Sequence, residues 1–182
     1  MSPAERLLDH LDGIAKSEPR LVRISHECGI YIAVYRGFPK QGAVTGFTFG
    51  LSHSHPMGGA HKELTVSMCD DDNAWAIACG YVAVRLRERC PFVCGDTIDF
   101  GTPIAASSTM SAFVAIHPRH ISPANRVIDL GERRIELVQL LPLYESERQW
   151  LMDGGELKSL LEHCAGSVLM DPRRKPFAGK AM

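Results

Sequence analysis

Between Val44 and Phe49 the chain alternates strictly. Thr45, Phe47 and Phe49 fall on one face and Val44, Gly46 and Thr48 on the other, the period-two mark of a strand. Gly50 ends the run. The following segment carries His53, His55 and His61 with Pro56 and the pair Gly58 and Gly59, before Glu63, Leu64, Thr65 and Val66 begin a second strand. A connection of this length between two well-marked strands is as a rule functional or mobile, so it is the first place to look for a site.

The remaining pattern supplies the frame. Ser2, Pro3, Ala4 and Glu5 form a capping box with proline at the first helical position, and Leu7, Leu8, Leu11, Ile14 and Ala15 make one stripe of a helix ending near Lys16. Residues 21–24 and 30–35 read as short strands around a turn at Cys28 and Gly29. The segment 73–89 is apolar nearly all round, which predicts a helix packed on the sheet with Trp75, Tyr81 and Val82 buried. Residues 101–112, small and polar, read as an exposed loop, and 113–116 as a strand. Residues 126–130 and 134–141 form a hairpin across Gly131, Glu132 and Arg133. Two helices follow, 144–151 and 156–164, hinged at Asp153, Gly154 and Gly155. A last short strand falls at 168–170, and 179–182 reads as a loose end. Helices and strands mix without regular alternation, so the expected class is α+β: a single domain over residues 1–182 with a mainly antiparallel or mixed sheet packed against helices.

Composition narrows the partners. The 182 residues are 45% hydrophobic and 23% charged, with 20 basic and 21 acidic side chains and a formal net charge of −1. That is a globular balance without the basic excess that holds a nucleic-acid backbone. Neither an export signal nor a bilayer-length apolar run is visible, so a soluble cytoplasmic protein without a membrane partner is expected. The six cysteines form no Cys-x-x-Cys pair and read as thiols; Cys90 and Cys94 would need two further ligands to hold zinc.

Three constellations invite chemistry. His53, His55 and His61 have the ligand count of a catalytic zinc site, with Glu63 nearby as a base. That gives a metal-dependent hydrolase as the alternative function, but no His-Glu-x-x-His pattern supports it and solvated loop histidines are the plainer reading. Asp70, Asp71 and Asp72 stand where a helix begins, and capping explains them better than a cation does. Glu145 and Glu147 open another helix and read the same way. No phosphate-cradling glycine loop or nucleophile elbow occurs, so neither an enzyme, a cofactor nor a small-molecule substrate is expected.

In chain order, five marks resemble the Suppressor of fused family. They are Thr48-Phe49-Gly50-Leu51-Ser52; Glu63-Leu64-Thr65; Phe92 with Cys94-Gly95-Asp96; the strand from Ile135 to Leu141 leading to Glu145 and Glu147; and Asp171-Pro172-Arg173-Arg174. Together they run from about residue 43 to 175. The resemblance implies a non-enzymatic domain that binds a protein or peptide. Animal members clasp a peptide of a transcription factor as an added strand between two lobes, and this chain resembles the first lobe; β-augmentation of that kind takes affinity from main-chain hydrogen bonds. Small bacterial relatives are thought to act as immunity proteins against toxins encoded nearby, which makes such a toxin a candidate partner. Carried over residue by residue, the resemblance implies partner contact at Phe49, His53 and Glu63. Glu63 keeps an acid that the animal proteins have, whereas His53 stands in place of one. Glu63 is expected near solvent, where Glu63→Lys would change folding by no more than about 0.5 kcal/mol.

Overall fold

The structure, a computed structural model, describes residues 2–53, 60–131 and 133–178. Its centre is a mixed sheet of eight strands: β1 (Arg20–Arg23), β2 (Tyr31–Arg36), β3 (Val44–Phe49), β4 (His61–Met68), β5 (Thr97–Asp99), β6 (Ala112–Ile116), β7 (Val127–Asp129) and β8 (Arg134–Leu143). The order across it is β1-β2-β3-β4-β8-β6-β5, with β7 also paired to β8. Every pairing is antiparallel except β4 with β8, where His61 to Thr65 run parallel to Ile135 to Gln139. That one ladder joins a first meander, residues 20–68, to a second, residues 97–143. A parallel pair needs a long crossover, and residues 69–133 supply it.

Four helices cover the sheet: α1 (Pro3–Ala15), α2 (Ala74–Leu86), α3 (Glu145–Met152) and α4 (Leu157–His163). The capping box of α1 is complete, Ser2 Oγ accepting from the Glu5 N–H at 3.2 Å and Glu5 accepting from the Ser2 N–H at 2.6 Å. Leu7 and Leu11 pack with Tyr35, Phe47, Ile135 and Leu137, and the Tyr35 hydroxyl donates to Asp12 at 2.6 Å. On the same face of β8 as Ile135 and Leu137, Leu160 and Cys164 pack with Val114, Ile116, Leu141 and Leu143. A separate and larger cluster gathers Trp75, Ala76, Cys79 and Val82 of α2 with Ile32, Val34, Leu64, Val66 and Phe113. Alternation along each strand thus sends side chains to two apolar layers.

The N-cap residue of α2 is Asn73, which makes no side-chain cap bond, and of the aspartates before it Asp72 reaches the first helical N–H while Asp70 serves other side chains. Asp72 accepts from the Ala74 N–H at 2.9 Å, and Asp70 accepts from the Trp75 indole at 2.9 Å and from Ser107 at 2.5 Å. The helix lies unusually close to β3: a Cβ on Gly46 would sit 2.6 Å from that of Ala76, so glycine is what permits the contact.

Three expectations are corrected here. Tyr81, expected inside, is 55% exposed, because α2 packs on one sheet and its far side meets water. Residues 168–170 are not a strand but lie in a 3-10 helix, Gly166–Met170, whose Met170 carbonyl accepts from the Cys69 N–H at 2.7 Å. The 101–112 stretch is irregular up to Ser111 and enters β6 at Ala112, yet Ile104, Ala105 and Met110 are buried; small residues let the chain turn while those three plug the α2 layer. Glu132 in the hairpin turn and residues 179–182 lie outside the described residues.

Neighbouring positions on α2 should respond oppositely to polar substitution. Val82 is 1% exposed, so Val82→Asp forces an unpaired carboxylate into the packing and is expected to abolish cooperative unfolding. Tyr81→Ser is expected to change stability by no more than about 0.5 kcal/mol. Urea denaturation of both variants checks the pair.

Candidate functional site

The ladder between β3 and β4 ends at Phe47 opposite Thr65. Beyond that point the strands part, and backbone donors that would have paired need other acceptors. Glu63 supplies them. Its Oε1 accepts from the N–H groups of Gly50 and Ser52, both at 3.0 Å, and its Oε2 accepts from the Thr48 hydroxyl at 2.5 Å. Thr48 Oγ1 in turn accepts from the Leu64 N–H at 2.7 Å. Gly50 turns the chain with a φ of 111°, and a Cβ there would lie 2.5 Å from the Gly29 carbonyl oxygen, which only glycine tolerates. The chain then makes a short 3-10 turn, Leu51–His53.

Glu63 is therefore fully buried, at 0% exposure, and the expectation of a solvent-facing carboxylate is overturned. The reason is physical: a carboxylate is the side chain best able to satisfy several parted backbone donors at once. Burial holds its carboxyl above the usual carboxylate range, against the pull of hydrogen bonds from Thr48, Ser52 and Gly50.

Above this buried group lies a surface row. Arg23, Tyr31 and Phe49 are direct cross-strand partners on β1, β2 and β3. Arg23 stacks over the Tyr31 ring at 5.1 Å and donates to its hydroxyl at 2.6 Å. Tyr31 and Phe49 are half-buried and Arg23 exposed. His53 is exposed, and Arg133 Nη1 donates to the carbonyl of its neighbour Ser52 at 3.2 Å. Partial shielding of the ring, then the nearby Arg133 and His61, hold His53 below the usual histidine range. The structure thus places His53 exposed, Phe49 half-buried and Glu63 fully buried, bonded to the backbone of Gly50 and Ser52 on the segment that joins the other two. Sequence reasoning missed Arg23, Tyr31 and Arg133, since cross-strand register is what brings them here; only the alternation putting Tyr31 on the face of Tyr35 was a usable signal.

For the metal alternative, His55 lies outside the described residues. Among the described residues no group of three or more His, Cys, Asp or Glu side chains is arranged to hold a metal ion. Histidine side-chain hydrogen bonds there run to the Asn125 carbonyl and to Arg23, neither being a nucleophile. No helix among the described residues is long and apolar enough to cross a membrane.

The last two marks of the sequence form a second buried unit. Arg174 makes a bidentate pair with Glu147, at 2.5 and 2.7 Å, and donates to the Pro142 carbonyl at 3.1 Å. Glu147 also accepts from the Tyr144 N–H at 3.0 Å and the Phe177 N–H at 2.8 Å. Its capping role is real, but its main work is to tie the C-terminal segment to the end of β8. Glu145 remains exposed and pairs with Arg148.

An eight-stranded mixed sheet with helices on both faces, two buried glutamates as its polar fasteners and an aromatic–cationic row at one end defines the class. Residues 26–175 match the model of the Suppressor of fused protein (SUFU), and the chain belongs to that family. In structure it is similar to a SUFU homologue from Neisseria gonorrhoeae, with a TM-score of 0.75 at 16% identity over 98% of each chain. A chain of a Sufu–Fu complex gives 0.74 at 13% identity, covering 95% of this chain and 91% of that one. Drosophila Suppressor of Fused gives 0.68 at 14% identity, over 95% of this chain but 50% of the fly protein. Comparison with curated proteins by sequence yields no match.

Glu63 sets two expectations. Glu63→Lys places an unpaired cation among donors and should destabilise by about 3–5 kcal/mol, well beyond the 0.5 kcal/mol of a surface change. For the wild type, the folded-state carboxyl titrates above its unfolded value of about 4.3, so the folded chain keeps a proton that the unfolded chain has lost. This contribution therefore makes stability fall as pH rises from about 4.3 through the raised value. Glu63→Gln keeps an acceptor for Gly50 and Ser52 but removes the titration. Urea unfolding of both proteins across that range should show the slope in the wild type alone.

Proposed function

We propose that the protein is a non-enzymatic binding module that holds a protein partner at the sheet end formed by Arg23, Tyr31 and Phe49, with His53 and Arg133 beside it. The observation that carries this reading is the row itself. An exposed arginine in contact with a half-buried tyrosine brings together residue types that dominate binding energy at protein interfaces, with a half-buried phenylalanine beside them, and the arginine's charge favours an acidic partner surface. Membership of the Suppressor of fused family and likeness to a chain of a Sufu–Fu complex support a protein as the ligand. Glu63 belongs to this site by fixing the backbone of residues 48–52 below Phe49 and His53 rather than by touching the partner.

Binding of this kind neutralises or sequesters the partner, and the role that fits a small binder is immunity: blocking a toxin encoded beside it. Co-purification with the product of the adjacent gene separates the roles, since a toxin-like neighbour held in a stable complex supports immunity and a signalling or transcription factor supports regulation. For the captured partner, Phe49→Ala and His53→Asp are each expected to weaken affinity about tenfold or more, the size of an interface anchor, with thermal unfolding little changed for His53→Asp and lowered but still cooperative for Phe49→Ala, which also loses packing on the Tyr35 and Phe47 cluster. Unaltered affinity in both variants, with the fold intact, means that the partner binds elsewhere.

A further inference from the structure

A second feature stands apart from this site. Between the β2–β3 turn, the loop after β6 and the segment after α4 lies a cavity of about 390 Å³ lined by Lys40, Arg119 and His120 over a floor that includes Cys164, Leu169 and Met170. We propose that it binds an organic phosphate: a phosphomonoester group held by the three basic side chains, with its organic part against Leu169 and Met170.

The argument begins with charge. In a chain of net charge −1, three basic side chains line one cavity and none of its lining residues is acidic. Among the described residues, no ion pair engages Lys40, Arg119 or His120. Like charges gathered without counter-charges repel one another, and their field is strengthened where apolar walls lower the local dielectric. Arg119 and Lys40 act on His120 in this way: burial first, then those two charges, depress its affinity for a proton. The His120 Nε2 is shut off from solvent and has no hydrogen-bond partner, an unusual state for a ring nitrogen. An oxyanion in the cavity neutralises the Lys40 and Arg119 charges and so restores the imidazole's affinity for a proton.

The walls are also pinned in advance. The Lys40 carbonyl accepts from the Ala43 N–H at 3.1 Å, and the Met170 carbonyl from the Cys69 N–H at 2.7 Å. The Arg119 N–H donates at 2.8 Å to the side chain of Gln139, which is buried on β8. Backbone held in this way leaves only the side chains of Lys40 and Arg119 to be ordered on binding. The volume selects the ligand class. It is at the low end of the range for small-molecule sites and well beyond a single phosphate ion, so a phosphoryl group carried on an organic residue fits better than the bare ion. Arginine and lysine together are the usual recognition set for that group.

Two sources share this chemistry, a free phosphorylated metabolite and a phosphorylated side chain of a protein. Titration of the full chain with glycerol 3-phosphate, a phosphoserine peptide and the same peptide without phosphate, followed by calorimetry, separates them. Saturable binding of either phosphorylated probe supports the proposal; a preference of about tenfold for one of them identifies the source. Arg119→Ala, whose side chain is exposed, and Lys40→Ala should each weaken binding several-fold or more while circular dichroism stays unchanged. Lys158→Ala, at a position outside the cavity, should leave it unaltered. The proposal is overturned if neither phosphorylated probe binds saturably, if the unphosphorylated peptide binds equally well, or if the Arg119 and Lys40 variants bind like the wild type.

Discussion

A carboxylate taken out of water must be given hydrogen-bond donors, and at the parting of β3 and β4 the donors are backbone amides that lack a ladder. Glu63 meets both needs together. The interaction fixes where β3 stops, how residues 50–53 leave the sheet, and the level at which Phe49 and His53 reach the surface. It also sits at the middle of the parallel β4–β8 ladder that joins the two meanders, Glu63 lying opposite Leu137. Both the sheet's continuity and the shape of its exposed end rest on one side chain that never reaches solvent.

Family marks far apart in sequence resolve into contacts. Thr48, Gly50 and Ser52 are the donors and Glu63 the acceptor, so the first two marks are one hydrogen-bonded unit. Glu147 and Arg174 make the fourth and fifth another. In the third, Asp96 accepts from the Val93 N–H at 2.8 Å, and the Gly95 N–H donates to the Ala115 carbonyl at 2.8 Å, closing a tight turn before β5. The first pair and the last pair share the satisfaction of buried polar groups, a demand of the fold, while the third mark closes an exposed turn. In the function proposed above, recognition falls to side chains at the sheet end, Arg23, Tyr31, Phe49 and His53 among them, a division that would let one scaffold serve different partners.

Elements were legible where periodicity or caps spoke for them. The capping box of α1, the alternation of β3 and the apolar run of α2 place α1, β3 and the start of α2 within a residue or two, because local pattern and tertiary packing agree, although α2 ends at Leu86 and not at residue 89. The mixed sheet was legible as a class, but the parallel β4–β8 ladder was not, since strand order is decided by long-range pairing. Glu63 and Tyr81 were misjudged for opposite reasons. A glutamate at a strand start looks exposed unless the backbone it serves is known, and a tyrosine in an apolar helix looks buried unless the number of covering layers is known. Val168 to Met170 have strand-forming composition, yet the chain there coils into the last wall of the α4 layer. The row of Arg23, Tyr31 and Phe49 spans three strands and exists only through their register.

The central claim is that the partner sits on the sheet end that Glu63 organises. Hydrogen exchange of the free protein and of its complex reads this directly, amide by amide. The account predicts added protection in the complex at residues 22–24, 31, 49–53 and 133, with α2 and the β5 edge unchanged. Protection confined to α2, the β5 edge or the far end of the sheet, with residues 49–53 exchanging as in the free protein, would contradict it.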